Sequence, residues 1–203
     1  MASDEVGMMN STIQYYNNCA EEYFDRTAHV EFDNLYDRFL KHVPEGGRIM
    51  DLGCGSGRDV YWFINHGYEA YGLDAADNLV IQARDKLGVP VEAGRIEAWS
   101  ADEPFDGIWC CASLMHIDDE GINSFFKNLK HNLKPNGVLF MSVKEGIDTG
   151  MDKDGRYFKD FSEDYIKSFL NKNPELSLIN TWHSEDKMGR DTFRWLNALI
   201  KRG

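Results

Sequence analysis

The sequence has no basic excess. Its 203 residues carry 22 Lys and Arg against 34 Asp and Glu, a formal net charge of −12. An acidic surface repels phosphate backbones, so nucleic acid is disfavoured as a partner. Nothing approaches a run of about 18 apolar residues, which excludes a transmembrane helix and disfavours a membrane role. Met1 to Gly7 include Asp4 and Glu5 and no apolar stretch. No secretory signal is expected there, and the cytoplasm is the expected compartment. Cysteines are few: Cys19, Cys54, Cys110 and Cys111, with no Cys-x-x-Cys. They read as reduced, buried thiols rather than as a disulfide framework or a zinc site. His29, His42 and His66 have no partners at metal-ligand spacing. A stretch from Gly150 hints at a calcium loop, but Gly and Phe161 stand where the first and last ligands belong. No metal site is expected. No repeat or low-complexity tract divides the chain, and at roughly 100–200 residues per domain it reads as one domain.

What is present is an ordered alternation. Ser11 to Asp25 has helical spacing, with Ile13, Tyr16, Ala20, Tyr23 and Phe24 on one face. Ser11 with Gln14 reads as a capping box. Phe32, Leu35, Tyr36, Phe39, Leu40 and Val43 make a second amphipathic helix, stopped at Pro44. Buried strands are expected at Arg48–Leu52, Tyr68–Leu73, Val89–Glu92, Phe105–Cys111 and Val138–Val143. Helices fall between them, one of them capped by Asp77. Strands alternating with helices predict a parallel sheet with right-handed crossovers. Gly146 to Gly155 reads as a flexible substrate loop. A helix capped by Ser162 follows. Leu176–His183 and Thr192–Ile200 read as an antiparallel pair at the sheet edge, a C-terminal helix over the latter being the alternative.

The most informative segment is Asp51-Leu52-Gly53-Cys54-Gly55-Ser56-Gly57. It leaves a strand and enters a helix, the place where doubly wound sheets bind nucleotides. Arg58 stands where a dinucleotide fingerprint wants a small residue. Asp51 is awkward beside a pyrophosphate but suits a cationic ligand. Asp74 ends the next strand, where a carboxylate can accept both hydroxyls of a ribose. No Lys-Ser or Lys-Thr follows the glycines, which excludes a P-loop.

These residues resemble the class I S-adenosylmethionine-dependent methyltransferases. Asp51 to Gly57 looks like their motif I, and Asp74 matches the acidic end of their second strand. Phe105-Asp106-Gly107-Ile108-Trp109 looks like their fourth-strand motif. Leu133-Lys134-Pro135-Asn136-Gly137 looks like their L-K-P-G-G segment, with Asn136 for Gly, a mild departure because Asn tolerates left-handed backbone. Within the family the chain is similar to small bacterial methyltransferases related to tellurite-resistance proteins, through Gly155-Arg156-Tyr157-Phe158, Gly189-Arg190 and Trp195-Leu196-Asn197.

The resemblance implies a Rossmann-like, seven-stranded, mostly parallel α/β sheet with helices on both faces and an antiparallel C-terminal strand pair. Residues 1–46 would form a helical cover over a methyltransferase domain at residues 47–203. The implied cofactor is S-adenosylmethionine, lying across Gly53, Cys54, Gly55 and Gly57. Asp74 would hold the ribose, Ala75 would lie near the adenine, and Ile96 and Glu97 would flank the adenine. Asp51, Cys111 and Ala112 would meet the methionine end.

Methyl transfer from a sulfonium is an in-line displacement with a neutral leaving group, so positioning and desolvation supply much of the catalysis. A base is needed only when the acceptor must lose a proton. His116, Lys144 and Tyr15 are the candidate catalytic residues. The plainer readings of the first two are a helix-capping histidine and an exposed loop lysine, while Tyr15 is off the face of Tyr16 and Tyr23, which read as core aromatics. Arg156 and Arg190 are the candidate acceptor-gripping cations, or else surface salt-bridge partners. The expected function is methylation of a small-molecule acceptor. A tRNA or protein acceptor would call on Lys127, Lys130, His131 and Lys134, whose helical spacing reads as a solvated face. A nicotinamide oxidoreductase and a non-catalytic cofactor-binding protein are the remaining alternatives. No feature specifies an oligomeric state.

Overall fold

The computed structural model describes residues 2–186 and 193–203. Helices α1 (Ala2–Asn18), α2 (Ala20–Thr27) and α3 (Asp33–Leu40) come first. The alternation then runs β1 (Arg48–Leu52), α4 (Arg58–Asn65), β2 (Glu69–Asp74), α5 (Asp77–Leu87) and β3 (Val91–Ala93). It continues through β4 (Phe105–Cys111), α6 (Asp119–Asn132) and β5 (Leu133–Glu145). A hairpin of β6 (Gly150–Met151) and β7 (Tyr157–Phe158), helix α7 (Glu163–Leu170), β8 (Leu176–Ser184) and β9 (Arg194–Arg202) follow.

Seven strands form one sheet in the order β3-β2-β1-β4-β5-β9-β8. Strands β1 to β5 pair in parallel. Strand β9 runs antiparallel to both neighbours and is inserted between β5 and β8. This is the expected Rossmann-like architecture with an antiparallel C-terminal pair, and residues 194–202 are strand rather than helix. The strand order reverses between β1 and β4, which opens a crevice at their carboxyl ends.

The central strands are buried on both sides, and their residues alternate between two cores. Ile108 and Cys110 of β4 pack with Phe125, Phe126 and Leu129 of α6. Trp109 between them faces Tyr36, Phe39 and Phe63 and stacks on Phe140 with ring centres 4.0 Å apart. Each such buried large side chain stabilises the fold by about 1.5–3 kcal/mol.

Several local expectations are corrected. The helix read as Ser11–Asp25 is two helices: α1 starts upstream and breaks at Cys19, whose φ of −110° and ψ of 21° are not helical. Ser11 therefore lies inside α1 and caps nothing. Its hydroxyl donates to the Gly155 carbonyl at 2.7 Å, and Gln14 bonds Asn18 instead. Asp77 is the first helical residue of α5, with Ala76 at the cap position. Strand β5 begins at Leu133 because Leu133 pairs with Phe105 before a register shift. Asn136 takes a left-handed φ of 67° there, a conformation Asn tolerates well. The segment read as a flexible loop is an ordered hairpin: the Asp152 carboxylate accepts from the Arg156 backbone and guanidinium. The helix-capping expectation at Ser162 agrees, its hydroxyl accepting from Tyr165 N. The four cysteines are free thiols. Among the described residues, no helix is long and apolar enough to cross a membrane.

Candidate functional site

The turn between β1 and α4 is folded onto β2 rather than open. Gly53 and Cys54 both donate to the Leu73 carbonyl, at 2.7 and 3.0 Å. Gly55 N donates to Asp74 Oδ2 at 2.8 Å, and Gly57 N to the Cys54 carbonyl at 2.9 Å. These amides are consumed within the protein, so the turn is poorly equipped to cradle a pyrophosphate, unlike the anion sites of dinucleotide enzymes. Glycine is required at Gly53, where φ is +78° and an added Cβ would lie 2.2 Å from Ser113 Cβ. At Gly55, φ is +53° and the Tyr23 ring lies 3.1 Å from the same virtual atom.

Asp74 also accepts from Ala76 N at 2.9 Å through its other oxygen. Burial raises its pKa, and the backbone donors Ala76, Gly55 and Ala75 oppose that rise. Each carboxylate oxygen keeps a second lone-pair direction for a hydroxyl donor. Asp51 is 1% exposed, and its Oδ2 has no hydrogen-bond partner. Burial, reinforced by Asp59 and Asp74, pushes its pKa well above the usual carboxylate range, against the pull of Arg58. A buried carboxylate left unpaired is costly unless something cationic answers it. An amino acid ammonium group and a sulfonium both meet that need, so the donor set fits S-adenosylmethionine better than a dinucleotide.

Asp59 carries a buried network beneath the turn. It accepts from Arg58 at 2.6 and 2.8 Å, from the Trp109 indole at 2.9 Å, and from the Tyr36 hydroxyl. Burial works against its ionisation, but Arg58 and the Tyr36 and Trp109 donors outweigh burial and hold the carboxyl below its ordinary value.

Two cavities meet above the crevice. The first, about 730 Å³ including its open mouth, is lined by Gly53, Gly55, Asp74, Ala75, Ile96 and Glu97, among others. The second, about 1540 Å³ including its mouth, is lined by Arg58, Lys144, Arg156, Phe158 and Trp195, among others. Tyr16, Tyr23, Cys111 and Ala112 line both and mark the junction. Ala112 has a left-handed φ of 62° there, a strained setting for a residue with a Cβ.

His116 lines the first cavity beside this junction. It caps no helix; Asp118 does, accepting from Gly121 N at 2.8 Å. His116 Nδ1 lies 2.7 Å from the Tyr157 carbonyl and Nε2 lies 2.9 Å from the Tyr16 hydroxyl. A carbonyl only accepts, so Nδ1 carries the proton and Nε2 accepts from Tyr16. Burial lowers the His116 pKa to about 4; the Tyr157 carbonyl opposes this, while Arg156 and Lys144 add to it. The imidazole is therefore neutral at pH 7. Burial raises the Tyr16 pKa, with Tyr23 adding to the effect, and keeps that phenol protonated.

The remaining candidates separate. Tyr15 lines neither cavity and lies under Arg156, 4.6 Å from the guanidinium to the ring centre. Its neighbour Tyr16, read as a core aromatic, is the tyrosine at the junction. Asp51, Cys54 and Gly57 line neither cavity, and Cys54 Sγ lies 2.8 Å from the position a Gly72 Cβ would take. Arg156 lines the second cavity while ion-paired to Asp152. Arg190 lies outside the described residues. Lys127, Lys130, His131 and Lys134 line neither cavity, and Lys134 pairs with Asp106 at 2.8 Å. Tyr23, Arg26 and Arg58 are lining residues that sequence reasoning missed. For Tyr23 the available signal was its seven-residue spacing from Tyr16, although the break at Cys19 puts the two on separate helices.

Residues 49–137 match the methyltransferase domain family. The chain is similar to the putative methyltransferase YqeM of Bacillus subtilis (strain 168), with 27% identity over 184 residues, covering 84% of this chain and 74% of that protein. Its fold is similar to Burkholderia thailandensis 1,6-didemethyltoxoflavin-N1-methyltransferase, solved with 1,6-didemethyltoxoflavin and S-adenosylhomocysteine bound. The TM-score is 0.78 at 16% identity, covering 100% of this chain and 90% of that one. TehB from Haemophilus influenzae is a further structural neighbour, with a TM-score of 0.68 at 17% identity, covering 90% of this chain and 66% of that one.

Proposed function

Since this chain is a class I S-adenosylmethionine-dependent methyltransferase, we propose that it methylates a small-molecule acceptor held in the second cavity. The observation that carries the reading is the shared wall: two cavities, one built around Asp74 and the other around Lys144 and Arg156, meet at Tyr16, Tyr23, Cys111 and Ala112. A concave acceptor space beside the cofactor cavity suits a small molecule better than a folded macromolecule. The basic residues of α6, which a tRNA would need, lie outside it. The Burkholderia thailandensis neighbour, solved with 1,6-didemethyltoxoflavin bound, is consistent with this.

S-adenosylmethionine supplies an electrophilic methyl group on sulfur, with a neutral thioether as leaving group. In our reading Asp74 accepts the ribose hydroxyls, Ala75, Ile96 and Glu97 border the adenine, and Asp51 offsets the positive methionine end from below. The glycine turn, Cys111 and Ala112 fix the floor. Tyr16 and Tyr23 cover the junction and exclude water. Neutral His116 holds the Tyr16 hydroxyl in place by accepting its hydrogen bond at Nε2. Lys144 and Arg156 orient the acceptor.

The test is release of S-adenosylhomocysteine by the purified chain given S-adenosylmethionine and pooled acceptors. Small aromatic and aliphatic metabolite pools are expected to support turnover, and a single pool should deconvolute to one compound. Turnover with bulk tRNA or protein alone would overturn the small-molecule reading. Tight cofactor binding with no turnover in any pool would favour the non-catalytic alternative.

A further inference from the structure

The second cavity is charged opposite to the chain as a whole. In a chain of net charge −12, Arg26, Arg58, Lys144 and Arg156 line it, against Glu185 and Asp186. Asp186 is engaged by the Trp195 indole at 2.9 Å. Three of the cations are held by carboxylates outside the lining, Arg26 by Glu22 at 3.5 Å. Asp59 grips Arg58, and Asp152 grips Arg156 through bonds of 3.0 and 2.7 Å. Such two-point pairing orients a guanidinium plane instead of leaving it to roam. The first cavity is the reverse, with Asp74 and Glu97 against Arg95 and with Asp51 buried behind the turn. The two halves are thus built for opposite charges, and exclusion of water strengthens the attraction between what they hold.

The cations sit on aromatic walls. Lys144 Nζ is 4.0 Å from the Phe158 ring centre, and the Arg156 guanidinium is 5.1 Å from the same centre. Phe32, Trp195 and the junction tyrosines complete a set of flat faces, which favour a flat ligand. We infer that the acceptor is a small aromatic anion, a carboxylate or ionised phenol, with its charge held between Lys144 and Arg156. This rests on the methyl-transfer reading of the same site.

The experiment is calorimetric titration of the full chain, first with S-adenosylhomocysteine and then, once saturated, with benzoate, 4-hydroxybenzoate, benzamide and inorganic phosphate. The aromatic acids are expected to bind at least tenfold more tightly than benzamide, and their affinity should fall with added salt. Lys144→Gln should weaken the acids about tenfold or more while leaving benzamide unmoved. Arg156→Lys, which keeps the charge but not the fork, should weaken them less. Equal binding of acid and amide, phosphate binding as tightly as the acids, or no aromatic acid binding at all would overturn the inference. Failure of S-adenosylhomocysteine to bind in the first stage would overturn the methyltransferase reading itself, and the inference with it.

Discussion

Replacing Asp59 with Ala should be among the most damaging single changes in the molecule. The side chain is 4% exposed and is the common acceptor for the Arg58 guanidinium, the Trp109 indole and the Tyr36 hydroxyl. Truncation leaves a guanidinium, an N–H and an O–H without their acceptor. Removing one partner of a buried ion pair costs about 3–5 kcal/mol, and an orphaned neutral donor adds roughly 1–3 kcal/mol. These terms overlap, because water entering the space would satisfy some of the donors, so about 4 kcal/mol is the working figure. For a chain of this length, each kcal/mol moves Tm by about 2–4 °C, which gives a fall of roughly 8–16 °C. Differential scanning calorimetry and urea unfolding of Asp59→Ala, Tyr36→Phe and the double variant would measure it. Tyr36→Phe alone should cost less than about 1.5 kcal/mol, because Asp59 keeps its other donors. The double variant should cost less than the sum, because the phenol has already lost its acceptor. A Tm for Asp59→Ala within about 2 °C of wild type, or strict additivity, would refute the idea that Asp59 organises this layer.

Gly53→Ala should abolish S-adenosylhomocysteine binding by calorimetry, because its Cβ would meet Ser113 Cβ at 2.2 Å on a backbone with φ of +78°; unchanged affinity would contradict the turn geometry. Asp51→Asn should stabilise the unliganded protein by about 1–2 kcal/mol while weakening S-adenosylhomocysteine binding at least tenfold, since it removes a buried carboxyl whose Oδ2 has no hydrogen-bond partner. Loss of both stability and affinity would count against that trade-off. His116 has a folded-state pKa near 4, below its ordinary 6.5, so the unfolded chain takes up its proton first. Its contribution to stability is complete above about pH 6.5 and is lost as the pH falls toward 4, by about 3 kcal/mol. In His116→Gln that part of the pH slope should vanish in urea titrations, while the carboxylates with lowered values, Asp59 among them, act in a lower window.

The sheet was legible because its signals are local: apolar strands, glycine stops and a carboxylate at the end of β2 all lie within a few residues of the structure they specify. The same holds for the turn, whose glycines and Asp74 could be read together. The parts that were misread depend on tertiary neighbours. Helical spacing put Tyr16 and Tyr23 on one face, but nothing in α1 or α2 says that this face covers a cavity instead of a core. Tyr15 was placed in the pocket by elimination, whereas Arg156, distant in sequence, comes to lie over its ring. The break at Cys19 has no proline or glycine to announce it. Ser11 with Gln14 imitates a cap, but the partner that claims the Ser11 hydroxyl is Gly155, on the β6–β7 hairpin. Arg58 could be noticed as a departure from a dinucleotide fingerprint. Its role on the wall of the second cavity required knowing where Asp59 would hold it.

The most direct measurement is calorimetric titration of the purified chain with S-adenosylhomocysteine and, separately, with NADH, on wild type and Asp74→Ala. Tight S-adenosylhomocysteine binding to wild type is expected, with at least a hundredfold loss in Asp74→Ala through two lost charge-assisted hydrogen bonds to the ribose, and no NADH binding. Clear NADH binding with none of S-adenosylhomocysteine, or S-adenosylhomocysteine affinity indifferent to Asp74, would contradict this expectation.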